Sequence, residues 1–329
     1  MKVLVLTNMY PSKKRRYFGI FIEEQVASLR NQGIEVDVLF VNGLENKLNY
    51  LWGFFRLWGT LLTHRYDLIH AHYVFSGMIA RAQFLCPVVL THHGPEFWNW
   101  QFTPCRIITP MMDKIILVSP EMYDRLKFEK AEVIPCGINF DLFKPMPKGQ
   151  AREELGLSQD KKLILWVGDF TRPEKRFDIV KEAVALAQQK DPTIEFVLVA
   201  SQPHHAIPTY MNAGDVLLLT SDAEGSPMVI KEAMACNTPI VSVPVGDVAE
   251  VIGGTDGCYL CTQDPTDVAE KLHMALGYGK RTDGREKIGH LELSQIAKRI
   301  ISQYQEVLGQ KKKRSLPRFS KGIAKENSE

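Results

Sequence analysis

Lys2-Val-Leu-Val-Leu-Thr7, then Phe18-Gly-Ile-Phe-Ile-Glu-Glu-Gln-Val-Ala-Ser-Leu-Arg-Asn-Gln32 closed by Gly33, then Glu35-Val-Asp-Val-Leu-Phe40: this opening stretch decides the fold. The first run is short and wholly apolar, as a strand buried on both faces is. The second spaces its apolar residues helically and stops at a glycine. The third is again a strand pattern. Strand, helix, strand is a βαβ unit, whose strands lie parallel under a covering helix. The first run is therefore not read as a signal peptide. It is short, and Asn8-Met-Tyr-Pro11 ends it without a small-residue cleavage site.

The same logic continues down the chain. Further strands are expected at Leu68–His70, Val88–Thr91, Lys114–Val118 and Ala131–Ile134. Pro135-Cys-Gly-Ile-Asn139 and the Pro145–Gly149 stretch then break the pattern, and a second α/β series follows. Its strands read Leu163–Val167, Glu195–Ala200, Val216–Leu219, Pro239–Val243 and Cys258–Leu260. Its helices read Phe177–Gln189, Pro227–Cys236, Val248–Ile252, Thr266–Leu276 and Ser294–Leu308. A chain of 329 residues exceeds one hydrophobic core. The expected fold is α/β: two doubly wound Rossmann-like domains, residues 1–145 and 146–310, facing each other across a cleft, followed by a basic tail, 311–329. Ligands of such sheets bind beyond the carboxyl ends of the strands, so functional residues belong just after them.

Composition is ordinary for a globular protein, with 45% hydrophobic and 24% charged residues. No run of about 18 apolar residues suggests a membrane span. Six cysteines are scattered, most of them in apolar runs. Cys258 and Cys261 form a CxxC, but no second pair or nearby histidine completes a zinc site, and no other cluster has metal-ligand spacing. No metal or cofactor is expected, and a reduced cytoplasmic setting fits. Net charge is +2, yet Lys311, Lys312, Lys313, Arg314, Arg318, Lys321 and Lys325 crowd the tail, which favours an anionic surface.

Chemistry concentrates in Glu224-Gly-Ser-Pro-Met-Val-Ile-Lys-Glu-Ala-Met-Ala235, directly after the strand Val216–Leu219. Ser226 suits a helix N-cap and Pro227 the first helical position. Gly225 allows close approach to the main chain. Free amides at such a helix start face an anion, and carboxylates accept from vicinal sugar hydroxyls. A well-capped helix with an exposed glutamate is the plainer alternative. Val229, Ile230, Ala233, Met234 and Ala235 leave little polar face, however, so Glu232 is expected to be half buried and to need a partner.

Two glutamates in the form E-G-S-P-x-x-x-x-E-A-M-A resemble the donor motif of the family 4 retaining glycosyltransferases, the group 1 enzymes with the two-domain GT-B fold. The resemblance extends over nearly the whole chain: Tyr17-Phe-Gly-Ile-Phe21, Asp67-Leu-Ile-His-Ala-His72, Thr91-His-His-Gly94, Val133-Ile-Pro-Cys-Gly-Ile-Asn139, Val167-Gly168 through Lys175, and Tyr210-Met-Asn-Ala-Gly-Asp215. It implies transfer of a sugar from a nucleotide-sugar donor to a saccharide or lipid-linked saccharide acceptor, with retention, in surface polysaccharide or glycolipid synthesis.

The resemblance also implies roles. Glu224 would bind hydroxyls of the transferred sugar. Backbone amides across Gly225, Ser226, Pro227, Met228 and Val229 would surround sugar and diphosphate. Glu232 would take the ribose. Gly19 would let its loop pass close to the diphosphate. His93 would sit beside the reacting carbon, and Lys175 would neutralise the departing diphosphate. Such enzymes need no metal, so side-chain cations stabilise the leaving group. Plainer readings stand beside these: His92 and His93 as core or turn histidines, His70 and His72 as strand-end histidines, Lys175 as one of a surface run, and Lys13, Lys14, Arg15 and Arg16 as a solvated loop.

Three departures from the family pattern stand out. Asp169 replaces an arginine common after the Val-Gly pair, with Arg172 nearby to supply the cation. The base-holding segment is shortened to Ser201–Thr209. Asp247 follows Gly246 where a second glycine is common. A sugar-nucleotide epimerase and a donor-binding partner subunit without catalysis are the alternative functions. The aromatic stretch Tyr50–Arg65, with Trp52, Phe55 and Trp58 on one stripe, reads as a core helix or as an interfacial one. With the basic tail it suggests peripheral attachment to an anionic membrane on the cytoplasmic face. No nucleic-acid partner is expected.

Overall fold

The computed structural model describes residues 1–315, the side chains of 311–315 excepted, so the basic side chains from Lys311 to Lys325 lie outside the described residues. The first half runs β1 (Lys2–Thr7), α1 (Ile20–Asn31), β2 (Glu35–Phe40), α2 (Leu48–Thr63), β3 (Leu68–His72), α3 (Val74–Ala80), β4 (Val88–His92), α4 (Phe102–Ile108), β5 (Lys114–Leu117), α5 (Pro120–Leu126) and β6 (Ala131–Val133). Its six strands are all parallel, in the order β2-β1-β3-β4-β5-β6.

The second half runs α6 (Lys148–Leu155), β7 (Lys162–Val167), α7 (Phe177–Lys190), β8 (Ile194–Val199), α8 (Ile207–Ala213), β9 (Val216–Leu219), α9 (Met228–Ala235), β10 (Ile240–Ser242), α10 (Val248–Ile252), β11 (Tyr259–Leu260), α11 (Pro265–Tyr278), α12 (Gly284–Lys287) and α13 (Leu293–Ser315). Its five strands, also parallel, lie in the order β11-β10-β9-β7-β8. The architecture is two doubly wound α/β domains. In each, the connections reverse direction at one point: between β1 and β3 in the first sheet, between β7 and β9 in the second. Such a reversal parts the loops on either side and opens a crevice at the strand ends.

One apolar core joins the two halves. It runs from Val3, Ile22 and Val26 through Ile296, Ile300 and Tyr304 to Leu217 and Met234. The link is α13. Grouped by sequence with the second domain, this helix packs on the first: Ser28 Oγ donates to the Leu293 carbonyl at 2.9 Å, and Tyr304 is fully buried against His70. The opposite face of the first sheet is covered by α2 and α3, and that of the second by α7 and α11.

Helix α2 seats Gly53, Leu57 and Leu61 inward. Gly53 lets the helix sit close to α3, since a Cβ there would lie 2.9 Å from Ile79 Cδ1 and would push that side chain aside. Trp52 and Phe55 point outward, 61% and 63% exposed, beside exposed Leu48, Leu51 and Leu62. Trp58 is half buried, edge-on to Phe84. Thus the helix belongs to the core by its small face and leaves its aromatic face bare. Among the described residues no helix is long and apolar enough to cross a membrane.

Candidate functional site

The two reversal points face each other. The loops after β1 and β4 oppose those after β7 and β9; two glycines, Gly94 and Gly225, mark where the domains touch, and a third, Gly246, backs Gly225 from within the second domain. A Cβ on Gly225 would lie 2.0 Å from the His93 carbonyl oxygen, and one on Gly94 would lie 2.6 Å from the Gly225 main chain. On Gly246 it would meet the Gly225 carbonyl oxygen at 2.5 Å. Backbone therefore packs on backbone, and no side chain fits at any of the three positions.

Beside this junction opens a cavity of about 360 Å³. The first domain lines it with Met9, Phe21, Tyr73, His93 and Trp98, the second with Arg172, Glu174 and the Glu224–Met228 turn. Mostly apolar walls with a few convergent polar groups are what a small-molecule site requires. Lys175 does not itself line the cavity, but its Nζ lies 2.5 Å from Oε1 of Glu224, which does. The two loops carrying this pair are braced by the Asp222 amide donating to the Glu174 carbonyl at 2.8 Å and by Thr220 Oγ1 donating to that of Lys175. Arg172 also lines the cavity, paired with Glu174. Asp169 is exposed and accepts from its neighbour Thr171, which holds its carboxyl below the usual range. It does not line the cavity.

The turn itself differs from the sequence reading. The helix begins at Met228, with Pro227 at the cap position and no side-chain cap. Ser226 does not cap because its hydroxyl is engaged beneath the turn. It donates to Asp247 Oδ2 at 2.7 Å and accepts from the amide of Cys136 and from Lys231. Lys231 is wholly buried and pairs with Asp247 at 2.8 Å. Asp247, a mere departure from the glycine pattern in sequence, is thus the counter-ion of a buried lysine. The first-turn amides of α9, those of Met228 and Val229, lack helical acceptors and remain free for a ligand, while Pro227 contributes none. Val229 does not line the cavity.

Glu232 lies on α9 outside the cavity lining, 7% exposed, as its apolar neighbours suggested. Burial pushes its carboxyl up to about 7, against the pull of His204. Among the described residues no side chain hydrogen-bonds it directly. Close by, His204 lies 3.6 Å from Glu24 of α1, and Asn139 donates to Glu24 at 3.2 Å. Burial works against the charge of His204, but Glu24 and Glu232 outweigh it and raise its pKa. The shortened segment after β8 thus brings a histidine towards the glutamate. Neither Glu24 nor His204 was singled out in the sequence; their one signal is Asn139, which belongs to a quoted motif.

Gly19 adopts φ +76°, and a Cβ would strike the Met9 carbonyl carbon at 2.6 Å, so the loop after β1 folds back tightly into α1. Gly19 does not line the cavity, though Met9 and Phe21 on either side of it do.

The histidines form an interior set. His92 bonds Glu96 and Thr109 and belongs to the core. His70 bonds Tyr304 and Thr91. His72 Nδ1 lies 2.9 Å from His93 Nε2, and His93 alone of the four lines the cavity. Burial first, then His72 and His92, hold His93 well below its ordinary pKa, so it is neutral. None of the six cysteines is in a disulfide. Among the described residues no group of His, Cys, Asp or Glu is arranged to hold a metal ion.

Comparison with known proteins agrees with this geometry. The family description "Glycosyltransferase Family 4" matches residues 2–142 and "Glycosyl transferases group 1" matches residues 202–277. A Bacillus subtilis protein named as the teichuronic acid biosynthesis glycosyltransferase TuaC is 24% identical, over 77% of this chain and 83% of its own. A D-inositol 3-phosphate glycosyltransferase of Streptosporangium roseum is 26% identical over 63% of this chain, which spans 61% of that protein's length. Sucrose-phosphate synthase of Thermosynechococcus elongatus superposes with a TM-score of 0.77, at 20% identity, over 94% of this chain and 100% of its own. HepE of Anabaena, solved with UDP and glucose, superposes at 0.72 and 19% identity, over 93% of this chain and 99% of its own. The chain belongs to the family 4, group 1 glycosyltransferases and has their two-domain GT-B fold.

Proposed function

We propose that the protein transfers a sugar, with retention, from a nucleotide-sugar donor to a saccharide or lipid-linked saccharide acceptor in surface polysaccharide or glycolipid synthesis. The observation that carries this is the pair of Lys175 with the cavity-lining Glu224, beside a turn with free amides. Each member of that pair has a natural partner on such a donor: sugar hydroxyls for the carboxylate, diphosphate oxygens for the ammonium. Arg172 exchanges Glu174 for the diphosphate in the same way. The amides of Gly225, Ser226, Met228 and Val229 receive the remaining oxygens, and Gly19 keeps the facing loop close. Glu232 accepts from the ribose, and His93 sits at the reacting carbon. HepE, solved with UDP and glucose, and TuaC, named for teichuronic acid biosynthesis, support this reading. These cations do the work of a metal, and none is required. The bare aromatic face of α2, flanked by exposed Arg56 and Arg65, lies on the cytoplasmic leaflet of an anionic membrane.

A panel of nucleotide sugars tests the donor site. A true donor at about 100 times its Kd stabilises the fold by about 2.7 kcal/mol. Turnover should then persist in EDTA, and the product anomer, read by NMR, should match the donor. No thermal shift with any nucleotide sugar, loss of turnover in EDTA restored by magnesium, or an inverted product would each overturn the corresponding part.

A further inference from the structure

His72 is the one member of the histidine set left half-satisfied. His70 uses both ring nitrogens, on Tyr304 and Thr91, and His92 uses both, on Glu96 and Thr109. The Nδ1 of His72 meets His93 Nε2 at 2.9 Å, but its Nε2 is buried with no partner among the described residues. His72 is wholly buried, its ring lying against those of His70, at 4.3 Å between centroids, and His93, stacked at 5.2 Å. Burial drives its pKa down to about 3, so it is neutral, as His93 is.

Two neutral imidazoles sharing one hydrogen bond have two arrangements. In one, His93 donates from Nε2, and His72 must then bury an N–H with no acceptor. In the other, His72 donates from Nδ1, and its unused nitrogen is a bare lone pair. Orphaned buried N–H groups are the rarer kind of unsatisfied polar atom, so the second arrangement is favoured. It has a consequence at the cavity. With Nε2 of His93 occupied as an acceptor, the ring's only proton sits on Nδ1. That nitrogen has just one partner, the Cys136 sulfur at 3.9 Å. Burial raises the Cys136 pKa, so it remains a thiol and a weak acceptor. Cys136 and His93 both line the cavity.

We propose that His72 is a positioning residue that holds His93 in the Nδ1–H tautomer, so that His93 presents a hydrogen-bond donor, never a base, to an oxygen of the bound donor sugar. This rests on the donor-site reading above for the identity of that oxygen, and on the His72–His93 geometry alone for the tautomer. Free imidazoles favour the Nε2–H form; the pairing reverses that preference. Phe21 and Tyr73, packed at 5.0 and 4.9 Å from the His93 ring, keep it from turning over.

The test is the ¹⁵N spectrum of the full chain with labelled histidine, His93 being assigned from the signals lost in His93→Asn. The expected result is a protonated Nδ1 and a bare Nε2 for both His93 and His72. A protonated Nε2 on His93 overturns the proposal. Two variants extend it to turnover. His72→Leu removes the donor, and kcat should fall roughly tenfold or more, as for a lost hydrogen bond to developing charge, with donor KM little changed. His72→Asn places an amide N–H near the Nδ1 position and should restore both the tautomer and most of kcat. Equal loss in both variants overturns the positioning role. If no nucleotide sugar is turned over while the tautomer pattern holds, the donor assignment fails and the histidine assignment stands.

Discussion

The loops at the reversal point of the first sheet present neutral groups to the cavity: the rings of His93, Phe21, Tyr73 and Trp98 and the thioether of Met9. Those of the second sheet present charges, each already paired: Arg172 with Glu174, and Glu224 with Lys175 behind it. The topology of the two crevices is the same, so the difference comes from the loops alone. Paired charges cost little to keep near water and can exchange partners when an anionic ligand arrives. Neutral, mutually bonded histidines cannot exchange in that way, but they exclude water and hold fixed dipoles where charge develops. The second domain is built to hold an anion and the first to cover the reacting end of what it holds.

This contrast breaks first at the buried pair under the Glu224–Met228 turn. Unlike the pairs at the cavity, Lys231 and Asp247 are sealed, and removing one leaves a buried charge without its counter-ion. Asp247→Gly, the common residue of the family pattern, should destabilise the fold by about 3–5 kcal/mol. Denaturant unfolding measures it, and a loss no larger than that of a surface substitution would place this pair with the exchangeable ones. Lys231→Met in the same chain should recover much of the loss, because no charge is then stranded.

The second-largest effect is expected at the Glu224–Lys175 pair. Lys175→Ala should lower kcat by roughly 10²–10³-fold, the scale of losing one preorganised group that stabilises transition-state charge. Its effect on unfolding should stay small, because both partners of the Glu224 pair retain access to solvent. Steady-state kinetics beside a melting curve separates the two. Strong destabilisation with unchanged kinetics would make the pair structural.

What the sequence disclosed follows the same divide. Parallel strands buried on both faces announce themselves as apolar runs, and Val216–Leu219 falls where the pattern puts it. The crossing of α13 onto α1 was not legible, because an amphipathic face does not say which sheet it covers. Ser226 looked like a cap because capping chemistry is local, whereas its actual partners stand 5 and 21 residues away. Glu232 was expected to be half buried and partnered. It is buried, but its neighbours are a histidine and a glutamate from two distant segments, and no periodicity announces those. The helix Lys148–Leu155 went unread inside a stretch that looked like a linker, its proline and glycine masking one buried face through Ala151 and Arg152.

The contrast sharpens at Glu232, where second-domain charge meets a first-domain neighbour. Its carboxyl titrates at about 7 in the fold, above the ordinary value of an unfolded chain. The native state therefore binds this proton more tightly, and the associated stability is full below the unfolded pKa and lost as pH rises through about 7. Glu232→Gln cannot ionise. Its melting temperature should gain on that of the parent protein between about pH 4.5 and pH 7, the window in which the unfolded chain has released this proton and the native state still holds it. His204, also raised, acts in the same direction and keeps Glu24 in the variant. A constant difference across that range would mean that Glu232 is already ionised and paired with His204.

The smallest expected effect concerns stability at the first domain's outer face, where neutrality becomes an exposed apolar surface. Trp52 and Phe55 contact one another at 5.8 Å between centroids, outward from the Gly53, Leu57 and Leu61 seam. Replacing both with serine removes no buried contact, so unfolding should shift by no more than about 0.5 kcal/mol. Vesicle sedimentation should nevertheless register the change. Insertion of aromatic rings is insensitive to salt, whereas attraction of Arg56 and Arg65 to anionic lipid is screened within about 10 Å at 0.1 M salt. The parent protein should retain binding to anionic vesicles at high salt, and the doubly substituted protein should lose it there while keeping part at low salt. Equal salt dependence in both proteins would show that the aromatic face does not enter the bilayer. An unfolding loss well beyond a surface substitution would return Trp52 and Phe55 to the core that α2 covers.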